Sequence, residues 1–105
     1  MVGEAIQKRF GKSIIELGGN NASIVMEDAN LEIAIKGSCF GAMGTAGQRC
    51  TSLRRLLIQE GVYDKVVESL VKAYKYVPIG SPLDSTTLMG PLHNDLGMNI
   101  FKTAI

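Results

Sequence analysis

Tryptophan is absent from these 105 residues, histidine occurs once, cysteine twice and proline three times. One histidine and two cysteines cannot complete the ligand set of a structural zinc site, so no metal centre is expected. With no secretory features in view, Cys39 and Cys50 are expected as reduced thiols rather than a disulfide. An excess of one charge is also missing. Eleven Lys plus Arg stand against ten Asp plus Glu, and a net charge of +1 makes no field that gathers nucleic acid or anionic lipid. The longest aliphatic runs, Ile24-Val25-Met26 and Leu56-Leu57-Ile58, fall far short of the roughly 20 residues that span a bilayer. Neither an apolar signal core nor an Arg/Ser-rich leader opens the chain. The expectation is a soluble intracellular protein without nucleic-acid or membrane partners, with cytoplasm and mitochondrion undistinguished. Gly18-Gly19 lacks the G-x-G-x-x-G phosphate fingerprint, no carboxylate spacing suggests glycoside chemistry, and aromatics are not interleaved with basic residues as RNA binding requires.

What is present reads as alternating helices and strands. Residues 2–10 predict a helix, with Gly11 placed to end it in a left-handed conformation. Residues 13–17 predict a short apolar strand stopped by Gly18-Gly19, and residues 22–26 a second, buried one. Asp28 is a candidate N-cap for a helix beginning near Ala29, with Leu31, Ala34, Ile35 and Cys39 on its apolar face and Gly41, Gly44 and Gly47 ending it. Residues 54–59 predict a third strand, and residues 63–76 an amphipathic helix whose stripe is Val62, Val66, Leu70 and Ala73. Pro78, Gly80 and Pro82 impose a loop, and residues 94–105 predict a last helix. This order argues for α/β architecture with mainly parallel pairing. The strand at 13–17 needs neighbours that the sequence does not supply, so the chain does not read as a complete domain.

Three side chains could carry chemistry. Glu16 sits in an apolar stretch, where burying its charge costs several kcal/mol unless it is paired. It is therefore either a tuned general base or a strand-end carboxylate that reaches solvent past the two glycines. Cys50 follows Arg49 and precedes Thr51 and Ser52, a cation and two hydroxyls. The thiolate is the nucleophilic form of cysteine, so Cys50 is either activated by this setting or a small structural residue. Cys39, on an apolar helix face, reads as structural. His93 could serve a cysteine hydrolase as base, or merely cap and solvate a helix start. The small residues around Gly41, Gly44 and Gly47 permit either a close backbone approach to a ligand or tight helix packing.

The motifs change these weights together. ELGGNN at 16–21 and GQRCT at 47–51 resemble the two active-site signatures of the NAD(P)-dependent aldehyde dehydrogenase superfamily, and Glu16 and Cys50 lie 34 residues apart, the interval that family keeps between base and nucleophile. MEDAN at 26–30, RRLLIQ at 54–59 and MGPLH at 89–93 extend the likeness across the chain. Asn20, Asn21 and the AGQRCT and GPLH segments look most like the antiquitin branch, the α-aminoadipic semialdehyde dehydrogenases.

The resemblance implies that Cys50 attacks an aldehyde to give a thiohemiacetal and then a thioester, which water activated by Glu16 hydrolyses. It implies NAD as cofactor, NADP being the alternative, with Glu16 and Leu17 at the cofactor edge and Arg49 and Thr51 at the substrate. The Cys50 amide would donate to the oxyanion. The family's second donor, an asparagine side chain, lies upstream of this segment. Residues 1–21 would be the end of the cofactor-binding domain and residues 22–105 the first, incomplete part of the catalytic domain, within a homotetramer. The 105 residues alone are expected to be inactive. The competing expectation is a non-catalytic remnant that associates with full-length subunits.

Overall fold

Helix α1 (Val2–Gln7) opens the chain, strand β1 (Ala22–Val25) leads through α2 (Leu31–Met43) to β2 (Arg55–Ile58), and α3 (Tyr63–Lys75) and α4 (Asp95–Ala104) follow; the computed structural model describes residues 1–105. β1 and β2 pair in parallel, from Ala22 opposite Arg55 to Val25 opposite Ile58. Parallel neighbours need a crossover, and α2 supplies it. The expected α/β architecture is therefore present as a small βαβ unit with α3 packed against α2.

The stripes foreseen on both helices face inward. Leu31, Ala34, Ile35 and Cys39 on α2 are half-buried, and on α3 Val66 is buried with Leu70 and Ala73 half-buried beside it. Val25 on β1 completes the apolar centre, and the buried Ser38 sits on the inward side of α2, where an apolar-only reading would not place it. The N-cap of α2 is Asn30, whose Oδ1 accepts from Ile33 N at 3.2 Å, and not Asp28. Asp28 is held in a turn closed by Ala29 N donating to Met26 O at 3.1 Å, so its carboxylate is two residues too early to reach the first free amides.

Three further expectations are corrected. α1 ends in a left-handed residue, but that residue is Phe10 (φ 53°), one position before Gly11. Gly11 N donates to Ile6 O and Phe10 N to Gln7 O, the paired bonds of a Schellman end, and this register puts the left-handed position on Phe10. Residues 13–17 form no strand. Their backbone makes no hydrogen bond, and Ile14 and Leu17 are 103% and 76% exposed. A strand exists only by pairing, and no neighbour in these residues reaches this one. Gly41, expected to end α2, lies within it. Leu53 N donates to Gly41 O at 2.8 Å, and a Cβ on Gly41 would stand 3.3 Å from Leu53 Cβ, so the glycine admits the close approach of the returning chain.

After Met43 the chain turns through three successive left-handed residues, Thr45 (φ 55°), Ala46 (φ 53°) and Gly47 (φ 71°). This conformation costs a non-glycine residue roughly 1–2 kcal/mol. Ala46→Gly relieves that strain but adds about 0.5–1 kcal/mol of unfolded-chain entropy. Strain relief wins, and the variant is expected to stabilise the protein by about 0.5–1 kcal/mol, read as a higher urea midpoint with unchanged slope. A lower midpoint would mean that the left-handed turn is not strained.

The molecule exposes 8712 Å², against about 5,700 Å² for a compact monomer of this mass. Its radius of gyration is 18.2 Å, where about 13 Å is expected of a closed domain. α4 buries no residue, leaving Leu96, Ile100 and Phe101 exposed. The surface burial expected of a self-sufficient domain of this length is not reached. No helix is long and apolar enough to cross a membrane.

Candidate active site

Cys50 is exposed at the second position of a tight turn that runs from Arg49 to Ser52. Ser52 N donates to Arg49 O at 3.0 Å, and Arg49 N donates back to Ser52 Oγ at 3.1 Å. Ser52, only 1% exposed, thus closes the turn through both its main chain and its hydroxyl. The amides of Cys50 and Thr51 donate to nothing within the protein. The nucleophile candidate therefore lies next to two unpaired N–H dipoles, the arrangement that holds a developing negative charge.

One carboxamide anchors this turn and a second ties the residue before it to the rest of the chain. Asn21, at the end of ELGGNN, donates through Nδ2 to Cys50 O at 2.6 Å and to Ser52 O at 3.1 Å. Its main-chain oxygen accepts from Arg54 N and Arg55 N, both at 3.1 Å, and Arg55 Nη2 donates to Asn20 O at 2.8 Å. Gln48 donates through Nε2 to Thr45 O at 3.0 Å and Pro91 O at 3.4 Å, while its Oε1 accepts from His93 N at 2.7 Å. The GPLH stretch is thereby tied to the cysteine loop. Sequence reading gave Asn21, Gln48 and Ser52 no positional role. Their signal was local: short polar side chains beside glycines and turns bond to nearby backbone in preference to entering helix or sheet.

Arg49 folds back on α2. Its Nη2 and Nε donate to Phe40 O at 3.3 Å and Gly44 O at 3.4 Å, and its guanidinium carbon lies 4.8 Å from the centre of the Phe40 ring. A cation here satisfies carbonyls at the helix C-terminus. Gly44 is required by this contact, since a Cβ there would overlap Arg49 Nη2. Arg49, with Phe40, Met43, Thr45, Val77 and Leu88, also lines an apolar cleft of about 440 Å³ between α2, α3 and the segment after α3. Thr51 is exposed beside Cys50 and lies outside that cleft.

Glu16 and Leu17 are exposed on the unpaired stretch that leads to Asn21. Glu16 makes no hydrogen bond to Cys50, Arg49 or Thr51; Asn21 is what joins its stretch to the cysteine turn. The His93 side chain likewise makes no hydrogen bond to Cys50. A hydrolase pairing of thiol and imidazole is not formed.

The two thiols differ. Both are free, but burial pushes the Cys39 thiol above its ordinary value, and the neighbouring Tyr74 hydroxyl is raised by burial first and by Cys39 second. A raised thiol favours the protonated folded form, so the stability this lends is present below the ordinary thiol range and is lost as pH climbs through the raised value. At neutral pH, iodoacetamide is expected to label Cys50 at least about 10-fold faster than Cys39, with Cys39 labelling emerging only in alkaline solution. Equal labelling at neutral pH, followed by peptide mass analysis, would contradict this difference.

The chain matches the family model described as Aldehyde dehydrogenase family over residues 1–104. It is 51% identical over 105 residues to aldehyde dehydrogenase family 7 member B4 of Arabidopsis thaliana, covering 100% of this chain and 21% of that protein. It is 49% identical over 100 residues to alpha-aminoadipic semialdehyde dehydrogenase of Bos taurus, covering 95% of this chain and 19% of that protein. Among solved structures, an NADP dependent enzyme of E. coli matches with a TM-score of 0.87 and 37% identity, over 93% of this chain and 20% of that one. Betaine aldehyde dehydrogenase of Staphylococcus aureus in complex with NAD+ matches at 0.86 and 30%, over 98% of this chain and 21% of that one. The chain spans about a fifth of the length of these relatives. With the fold and the sequence match each running through nearly every residue, the chain belongs to the aldehyde dehydrogenase family.

Proposed function

We propose that these residues are the catalytic segment of an NAD(P)-dependent aldehyde dehydrogenase that oxidises an aldehyde to a carboxylate, with α-aminoadipic semialdehyde as the substrate that the likeness to the bovine protein favours. In this reading residues 1–21 end the cofactor-binding domain, residues 22–105 begin the catalytic domain, and the complete subunit works as a homo-oligomer. The observation that carries it is the presentation of Cys50: exposed, next to unpaired amides, and tethered through Asn21 to the stretch that bears Glu16.

The chemistry follows from these groups. Cys50 Sγ, as thiolate, bonds to the aldehyde carbon, and the carbonyl electron pair moves onto oxygen. The Cys50 N–H donates to that oxyanion; a donor of this kind is worth about 10²–10³ in rate. Arg49 Nη1 makes no hydrogen bond and is free to meet a substrate carboxylate, while Thr51 flanks the sulfur. In this reading the Glu16–Leu17 edge would hold a nicotinamide, with the exposed Leu17 side chain as its apolar contact. A nicotinamide cofactor bound there supplies the hydride acceptor, a capacity no side chain of this chain has. Once the carbon is oxidised, Glu16 takes a proton from water, the resulting hydroxide attacks the thioester carbon, and the C–S bond breaks to return the Cys50 thiolate with the carboxylate product.

The test is aldehyde-dependent NADH formation by the complete subunit that contains residues 1–105, with the 105 residues alone giving none. Protection of Cys50 from alkylation by substrate aldehyde would mark the sulfur as the reacting atom. An active complete subunit whose Cys50 is not protected would overturn the proposal.

A further inference from the structure

Asn21 spends every hydrogen bond it makes on residues 50–55. Its carboxamide NH₂ has one hydrogen for each of two acceptors, Cys50 O at 2.6 Å and Ser52 O at 3.1 Å, and its main-chain oxygen receives Arg54 N and Arg55 N. The geometry around Cys50 gives these contacts meaning. The peptide unit before the Cys50 Cα has its oxygen, that of Arg49, held by Ser52 N at 3.0 Å. The peptide unit after it has its oxygen, that of Cys50, held by Asn21. Two planes pinned on either side of one Cα leave φ and ψ little freedom, and with them the direction of the Cα–Cβ bond that carries Sγ and of the unpaired Cys50 N–H.

We propose that Asn21 is a positioning residue for the nucleophile: its side chain locks the peptide following Cys50, so that sulfur and amide address the same carbonyl group. The proposal rests on Cys50 being the nucleophile. It differs from a purely structural role, because the main-chain bonds from Arg54 and Arg55 to Asn21 survive any substitution of the side chain and continue to anchor the start of β1 against β2. What a substitution removes is the clamp alone.

Asn21→Asp is nearly isosteric but sets a carboxylate against two carbonyl oxygens; Asn21→Ala leaves both without a donor. In the complete subunit both variants are expected to lower kcat about 10- to 10²-fold, the cost of a reacting atom displaced by an ångström or so. KM for aldehyde should stay within about 2-fold, since ground-state binding is untouched. Cys39 should keep its wild-type resistance to iodoacetamide, which reports that α2 and α3 remain packed. Unchanged kcat in both variants, alongside loss of turnover in Cys50→Ser, would refute the positioning role while the nucleophile stands. Reduced kcat accompanied by rapid Cys39 labelling would assign Asn21 to stability and also refute it. Full turnover by Cys50→Ser would remove the premise itself.

Discussion

Exchanging Cys50 for serine is expected to reduce kcat of the complete subunit by about 10⁴-fold or more while leaving its fold intact. The change replaces one atom. Every hydrogen bond that shapes the turn uses the main chain at position 50, or the groups of Arg49, Ser52 and Asn21, and none uses Sγ. Serine is therefore accommodated in the same conformation, and what is lost is chemical. A thiol is intrinsically nucleophilic, whereas an alcohol needs an adjacent base, and the only imidazole in the chain makes no hydrogen bond to position 50. The unpaired amides of Cys50 and Thr51 remain in the variant, so residual binding of aldehyde should persist with KM little altered. Steady-state NADH formation, with circular dichroism as the check on folding, measures the effect. Turnover above about one per cent of wild type in a folded variant would show that sulfur is not the attacking atom.

Much of the architecture was legible because it depends on local pattern. The inward stripes of α2 and α3, the two strands that pair and the α/β order all follow from apolar spacing of 3.6 and short β-branched runs, and each is seen at Val25, Val66 and Cys39. Residues 13–17 have the composition of a strand, but pairing is not encoded in a segment alone, and no partner lies among these residues. The left-handed position fell on Phe10 and not on Gly11, and others on Thr45 and Ala46 as well as on Gly47, because hydrogen-bond register decided where the chain turns. At the candidate site, motif and spacing singled out Cys50 and Glu16 as the residues proposed to react. They could not show the tether. Asn21 and Cys50 meet across 29 residues, and only the parallel register of β1 on β2, which sets Ala22 opposite Arg55, brings the end of one motif onto the other.

Glu16→Gln is expected to separate the two halves of the reaction. Glutamine keeps the size and hydrogen-bonding capacity of the side chain but cannot take a proton from water, and removing a general base typically costs about 10²–10⁴ in the step it serves. That step is release of the acyl group from Cys50, not its formation. The first turnover should therefore proceed near the wild-type rate, giving a burst of NADH equivalent to the Cys50 content, followed by a steady state slowed by about 10²- to 10⁴-fold. The acylated Cys50 peptide should accumulate and be visible by mass. Glu16 also lies at the proposed cofactor edge, and the burst distinguishes the two roles. A residue needed only to hold cofactor would raise KM for NAD and abolish the burst together with the steady state. Glutamine is nearly isosteric with glutamate, and Glu16 makes no hydrogen bond within these residues for the exchange to break. A Glu16→Gln enzyme whose steady state matches wild type would show that water is activated by some other group, and Cys50 would then keep its place without the partner assigned to it.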